Sequence, residues 1–124
     1  MANPNIVNVT DIRGKTTYAT PSDNNAAVLL ANASGSNKVF KVNSLVVANV
    51  DGTNAVEATV ALNTAADGSG TGYPIASTIS VPADASLIVI DKNNALYLEE
   101  DKSIVITSGS ANDLTFSISY EEIS

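Results

Sequence analysis

Apolar and polar residues alternate with a period of two along most of this chain, which places every second side chain on the same face of a β-strand. The alternation is clearest near the end, where hydroxyl-bearing residues separate Leu114, Phe116, Ile118 and Tyr120. From residue 26 onward this pattern predicts eight strands, at residues 26–33, 38–50, 55–63, 75–81, 86–91, 95–99, 103–108 and 113–122.

Short polar segments separate these strands. Four of them, at residues 34–37, 51–54, 91–94 and 108–112, are rich in Gly, Asn, Asp and Ser, and we interpret each as the turn of a β-hairpin. The Gly-rich segment 64–72 predicts a mobile loop. Because proline cannot donate to a neighbouring strand, Pro74 and Pro82 predict that the strand between them lies at a sheet edge.

The chain divides into two zones. Residues 1–25 are polar and contain Pro4 and Pro21, which predicts an extended N-terminal arm with one short strand or hairpin at residues 12–20. Residues 26–124 form the expected sandwich domain, and no segment beyond a single turn at residues 82–85 is expected to be helical. The predicted fold is all-β, an antiparallel β-sandwich of about eight strands that is jelly-roll-like, with an immunoglobulin-like topology as the second choice.

Charge narrows the choice of partners. Thirteen acidic against six basic residues give a net charge of −7. This charge repels the phosphates of nucleic acid and an anionic bilayer, so we expect neither as a partner. No apolar run approaches the ~20 residues of a membrane-spanning helix. The absence of cysteine fits a protein made in a reducing cytoplasm.

The residue types give no indication of catalysis. The chain has no His, which removes the commonest general base, and the scattered carboxylates lack the aromatic platforms of a glycosidase. We therefore predict no catalytic, cofactor-binding or metal-binding residues. Calcium held by oxygen-rich turns such as 51–54 and 91–94 is a minor alternative, because Asx residues in tight turns are explained by turn geometry.

Candidate contacts with partners lie in three places. An arm pays its ordering entropy only on docking, which suits assembly. Exposed charge and aromatic residues beside loops suit recognition. We therefore single out the arm residues Ile6, Val7, Ile12, Arg13 and Tyr18, then Tyr73 beside the Gly-rich loop, and Glu99 and Glu100 in an acidic turn. Lys38 and Lys41, which flank Phe40, would meet an acidic edge on a neighbouring copy.

Three stretches carry a resemblance to a known class of proteins. They read VPADASLIVIDK at residues 81–92, LYLEED at residues 96–101 and SYEEIS at residues 119–124. Over residues 43–124 the chain resembles small virion structural proteins of tailed bacteriophages, particularly those of marine cyanobacteria. The resemblance implies a capsid- or tail-associated β-sandwich and transfers no catalytic or ligand-binding residues.

The resemblance leads to a ranked set of functions. The first is a non-enzymatic decoration or cement protein of the capsid, made in the host cytoplasm and located in the virion. It would bind the major capsid protein and form a homotrimer or homodimer. The second is a neck, baseplate or fibre-associated tail component, which would bind tail or neck proteins. The third is a receptor- or carbohydrate-binding module, for which Tyr73 is the main support. An enzyme ranks last.

Overall fold

A computed structural model describes residues 3–124; residues 1–2, the start of the expected arm, lie outside the described residues. The described chain is all-β and holds no α-helix. Its nine strands are β1 (Ile12–Ala19), β2 (Ala27–Asn32), β3 (Val39–Asn49), β4 (Val56–Asn63), β5 (Gly72–Val81), β6 (Ser86–Ile90), β7 (Leu96–Leu98), β8 (Lys102–Ser108) and β9 (Leu114–Ile123). One 3₁₀ turn, Lys92–Asn94, separates β6 from β7, whereas residues 82–85 form a hydrogen-bonded turn rather than the expected helical one.

The strands form two antiparallel sheets with jelly-roll order. Sheet A has the order β1-β9-β3-β6, and β7 pairs with the same strand, β3, as β6 does. Sheet B has the order β2-β8-β4-β5. If β6 and β7 are counted as one interrupted strand, the chain has eight strands, four in each sheet, in the order of a jelly roll. This confirms the predicted fold class, with the jelly roll as the correct topology.

The strand expected at residues 12–20 is β1. It pairs with β9 along its whole length, from Ile12 opposite Ile123 to Ala19 opposite Phe116. The division of the chain into residues 1–25 and 26–124 stays a prediction, but residues 12–19 are part of sheet A. Strand β5 is an edge strand of sheet B, as Pro74 and Pro82 predict, although it begins at Gly72 and so contains Pro74.

The four predicted hairpin turns are wrong. Segments 34–37, 51–54 and 108–112 each carry the chain from one sheet to the other, and segment 91–94 joins two strands that both pair with β3. The hairpin between consecutive paired strands is β4–β5, whose connection is the Gly-rich segment expected to be a mobile loop. Crossing turns use the same residue types as hairpin turns, because both need positive φ angles and self-capping side chains.

Three strands end on buried asparagines that close these connections. Asn32, Asn49 and Asn63 are the last residues of β2, β3 and β4, and each is at most 7% exposed. The Asn49 amide donates to the carbonyl oxygens of Asn54 at 3.0 Å and Val81 at 2.9 Å. A side-chain amide can satisfy backbone groups that a strand leaves unpaired where it ends. Each asparagine therefore fixes the path of the chain out of its strand.

The core lies between the two sheets and is aliphatic. Alternate residues of each strand point inward, and burying one such side chain stabilises the fold by about 1.5–3 kcal/mol. The fully buried members include Leu45, Val47, Phe116 and Ile118 from sheet A and Ala58, Val60, Ile104 and Ile106 from sheet B.

Candidate functional site

A groove centred on Tyr97 lies at one end of the sandwich. Because β7 continues the alternation, Leu98 is 1% exposed in the core while Tyr97 points outward and is 49% exposed. Two cavities, of about 300 and 290 Å³, share Tyr97 and Glu99 in their walls. We call this surface the Tyr97 groove. The first cavity is also lined by Asn3, Pro4, Ile6 and Val39, and the second by Leu62, Asn63, Thr64, Tyr73, Leu98 and Lys102.

Residues 3–10 form one wall of this groove. The Asn3 amide donates to the Glu99 carboxylate at 3.0 Å, and the backbone of Thr10 donates to the Ser124 carbonyl at 2.7 Å. Beneath the segment, Val39 and Ile123 are paired on neighbouring strands and are only 3% and 5% exposed. Neither belongs to the main core cluster. The N-terminal segment therefore covers a small apolar site on the outer face of sheet A.

The expected contact residues divide between two regions. Ile6, Tyr73 and Glu99 line the Tyr97 groove. Val7 lies on the same segment as Ile6 and is 91% exposed. Strand β1 carries three more: Ile12 and Arg13 at its start, and Tyr18 near its end. The structure therefore brings three of the candidates together and leaves β1 as a second exposed region.

Arg13 and Ile12 are surface residues. The Arg13 Nε atom lies 2.9 Å from the Asp11 carboxylate, and both side chains are largely exposed. An exposed pair of this kind contributes little to stability. Ile12 is 53% exposed beside Ile123.

Glu100 is not a surface residue, contrary to the sequence-based expectation. It is 3% exposed, and its carboxylate accepts hydrogen bonds from the backbone N–H groups of Gly35 and Asn37, each at 3.1 Å. Both residues have positive φ, so their N–H groups point together into the turn between β2 and β3. A carboxylate is suited to cap such a pair of donors. Glu100 holds a turn in place and is removed from the contact candidates.

A charged cluster closes the edge of the sandwich next to β1. Glu122 is 13% exposed at its side chain and pairs with Lys38 at 2.7 Å and Lys15 at 2.9 Å. The hydrogen bonds from Lys38 and then Lys15 hold the pKa of Glu122 below its ordinary value. The same contact raises the pKa of Lys15. Lys38, expected to meet an acidic edge on a neighbouring copy, pairs within its own chain.

The acidic turns are occupied by their own backbone. The Asp51 carboxylate accepts from the N–H groups of Thr53 and Asn54, which lowers its pKa, and Asp91 accepts from Asn93. Within residues 3–124, no group of three or more Asp and Glu side chains is placed to hold a metal ion. Calcium binding stays a minor prediction, and a thermal melt with and without chelator tests it. The same residues contain no helix long and apolar enough to cross a membrane.

Sequence reasoning missed Tyr97 and Lys102 at the groove. A signal for Tyr97 was present, because Leu96 and Leu98 flank it and alternation then points the ring outward. No comparable signal existed for Lys102, since its position depends on how β8 enters sheet B.

No protein-family model and no curated protein matches the sequence. Among solved structures, a chain from the disulfide-linked pili of Bacillus endospore appendages has a TM-score of 0.52 at 17% identity, covering 91% of this chain and 87% of that one. A chain from the acid-stable capsid of the Helicobacter pylori bacteriophage KHP30 has a TM-score of 0.51 at 12% identity, covering 94% and 90%. A chain of the T13 particle of the virus IBDV has a TM-score of 0.50 at 11% identity. The match covers 93% of this chain but only 31% of that much longer chain. At such identities the likeness shows a shared fold.

Proposed function

We propose that this chain is a non-enzymatic virion structural protein, and specifically a decoration or cement protein that binds and stabilises the head lattice of a tailed phage. The observation that carries the proposal is the near-complete overlap, 94% of this chain and 90% of the other, with a chain of the phage KHP30 capsid. A likeness over both full lengths means that the small sandwich by itself corresponds to the other chain. The resemblance of residues 43–124 to virion proteins of tailed phages points to the same broad class, a capsid- or tail-associated β-sandwich.

The N-terminal segment and the Tyr97 groove are the proposed contact surface with the major capsid protein. Ile6 and Val7 are 54% and 91% exposed, which is unusual for large aliphatic side chains next to each other in a small acidic protein. Burying both on docking would remove apolar surface from water, and Glu99 and Lys102 at the rim would fix the orientation. A homotrimer or homodimer at the binding site would repeat this contact and multiply its strength.

The experiment is a binding assay with purified heads that lack the protein. We expect the recombinant chain to bind heads at a saturating, lattice-defined number of copies, and to raise the temperature at which heads release their DNA. Replacing Ile6 and Val7 by Asp should weaken binding at least tenfold. The matched control replaces Ile79 and Val50 by Asp, because these side chains are 41% and 57% exposed and line neither cavity of the Tyr97 groove. Heads that show no binding would refute the proposal.

The number of copies per virion distinguishes a neck, baseplate or fibre-associated role from a role in the head lattice. Quantitative mass spectrometry of purified virions would give hundreds of copies for a lattice protein, and a dozen or fewer for a ring or fibre component.

A carbohydrate-binding module is the second candidate, and the second cavity of the groove favours it. Tyr73 and Tyr97 are 61% and 49% exposed and line one cavity of about 290 Å³ together with Glu99 and Lys102. Exposed aromatic faces combined with a few polar groups suit a sugar ring. An NMR titration with host-surface oligosaccharides tests it. Shifts that disappear in Tyr73→Ala and persist in Tyr18→Ala would favour binding in the groove.

A further inference from the structure

The outer face of sheet A carries an uncharged area that the proposed function does not use. Residues directly opposite each other in an antiparallel sheet share a face. The register aligns Tyr18 with Ser117, Ser117 with Val46, and Val46 with Ile88, in one row across β1, β9, β3 and β6. The neighbouring positions on this face carry only Ala, Ser and Thr, namely Thr16, Ser44 and Ser119 on one side and Thr20, Ala48, Ser86 and Thr115 on the other.

Hydroxyl contacts confirm that these side chains lie together. Thr16 and Ser119 are hydrogen bonded through their hydroxyl oxygens at 2.9 Å, and Thr20 and Thr115 at 2.9 Å. We call this area the hydroxyl face. None of its residues is charged, although the chain has nineteen charged residues and a net charge of −7.

The hydroxyl face is open, whereas the equivalent face of sheet B is partly covered. Its two most exposed large side chains, Tyr18 and Ile88, are 74% and 64% exposed. On sheet B the hairpin connection folds back over the strands. There a methyl group added to Gly68 would lie 3.0 Å from Val28, and the Ser103 hydroxyl donates to the carbonyl of Ala65 at 2.7 Å.

We propose that the hydroxyl face is a self-association surface that binds the same face of a second copy of this chain. Two copies that each carry −7 repel one another, and they can approach closely only where neither presents carboxylates. A hydroxyl group both donates and accepts, so a face built from hydroxyls is complementary to itself. A two-fold contact needs a self-complementary patch, and Tyr18 and Ile88 at opposite edges of the row supply its apolar anchors.

The size of the face sets the expected affinity. Four strands about 4.8 Å apart and about five residues along each strand span roughly 300 Å² per copy. This is below the area of a standard stable interface, so we expect a dissociation constant of about 10 μM or weaker for the free protein. Copies held side by side on a lattice would associate more tightly, because their effective concentration is high.

The test measures self-association of the purified full chain by analytical ultracentrifugation up to about 1 mM. We expect a reversible dimer that tightens as salt rises, because salt screens the repulsion between two acidic copies. Ile88→Lys should weaken the dimer at least tenfold, since each copy would then bring a charged lysine into a small uncharged contact. Ile79→Lys is the matched control: it makes the same charge change at an exposed isoleucine of β5, and its dimer should be unchanged or slightly tighter.

A dilution series followed by NMR locates the contact. Amide signals of Thr16, Tyr18, Ser117 and Val46 should move with concentration, and those around Tyr73 should stay fixed. The proposal fails if the protein remains monomeric across this range, or if Ile88→Lys and Ile79→Lys change the association equally. It also fails if the concentration-dependent signals lie in the Tyr97 groove. None of these readouts involves capsids, so the result is independent of the proposed virion function.

Discussion

Replacing Asn49 by alanine should be among the most damaging single changes to this fold. The side chain is 3% exposed at the end of β3, where the chain crosses from sheet A to sheet B. Its amide donates to the carbonyl oxygens of Asn54 and Val81, and its own oxygen accepts from the N–H of Asp51 at 2.9 Å. Alanine removes all three hydrogen bonds and leaves their backbone partners without a replacement side chain.

The expected cost follows from how well those partners can reach water. The bond to Val81 is buried, and a buried group left unpaired costs about 1–3 kcal/mol. The other two hydrogen bonds are only partly buried, so water can replace them, and the loss of each lowers the free energy of unfolding by about 0.5–1 kcal/mol. We therefore expect a loss of about 3 kcal/mol, a large part of the 5–15 kcal/mol of a typical domain, and a fall in melting temperature of about 12 °C.

Urea unfolding followed by circular dichroism measures this change, provided that the slope of the transition is the same in both proteins. Asn93→Ala is the control, because Asn93 is exposed in the 3₁₀ turn and only its backbone N–H is hydrogen bonded there. It should stay within about 0.5 kcal/mol of the parent. If Asn49→Ala is equally mild, the buried asparagines do not hold the crossing connections.

Three further changes test other parts of the structure. Glu122→Gln should lower the urea midpoint at pH 7, because the ionised carboxylate is paired with two lysines in the folded protein. Those lysines depress the pKa of Glu122, so the difference in midpoint should shrink as the pH falls below 4.5, the ordinary pKa of a glutamate, and vanish once Glu122 is protonated. Glu100→Ala should destabilise the protein by about 1–3 kcal/mol, with Glu100→Gln milder, since the carboxylate caps two N–H groups. Gly68→Ala should cost about 1–2 kcal/mol in the same assay because its φ is +81° and the new methyl group would press on Val28, whereas Gly14→Ala, with open space around it, should be nearly neutral.

Alternation predicted the strands and the fold class because the side-chain period of a β-strand is local. The path between strands is not local, and the same Asn, Asp and Gly residues serve hairpins and crossing turns alike. At two crossing connections, Asn32 and Asn49 fix the path through hydrogen bonds to backbone groups far away in sequence, Leu98 for Asn32 and Val81 for Asn49. Single-sequence reasoning sees them only as turn residues.

The candidate site shows the same limit. Ile6 and Val7 are singled out as contact residues of a polar arm, and both are exposed, although their role as contacts stays a prediction. Glu99 and Glu100 are adjacent and identical in type, yet one lines the Tyr97 groove and the other is buried. Their difference arises because Glu100 meets two converging N–H groups of a turn more than sixty residues earlier. The charge of a glutamate predicts an exposed side chain, and Glu100 is buried only because of its tertiary contact with the two N–H groups.

The two outer faces of the sandwich differ in a way that bears on how such a protein assembles. Sheet B is partly covered by its own hairpin connection, in which Gly68 lies beside the apolar residues Val28 and Val105. Sheet A is covered at one end by residues 3–10 and is open at the other, where the hydroxyl face begins. The two proposed contacts use surfaces of different chemistry: the aliphatic side chains Ile6 and Val7 beside the Tyr97 groove for a partner, and the uncharged hydroxyl face for a second copy. Because these surfaces do not share residues, the two proposed contacts would be able to form together.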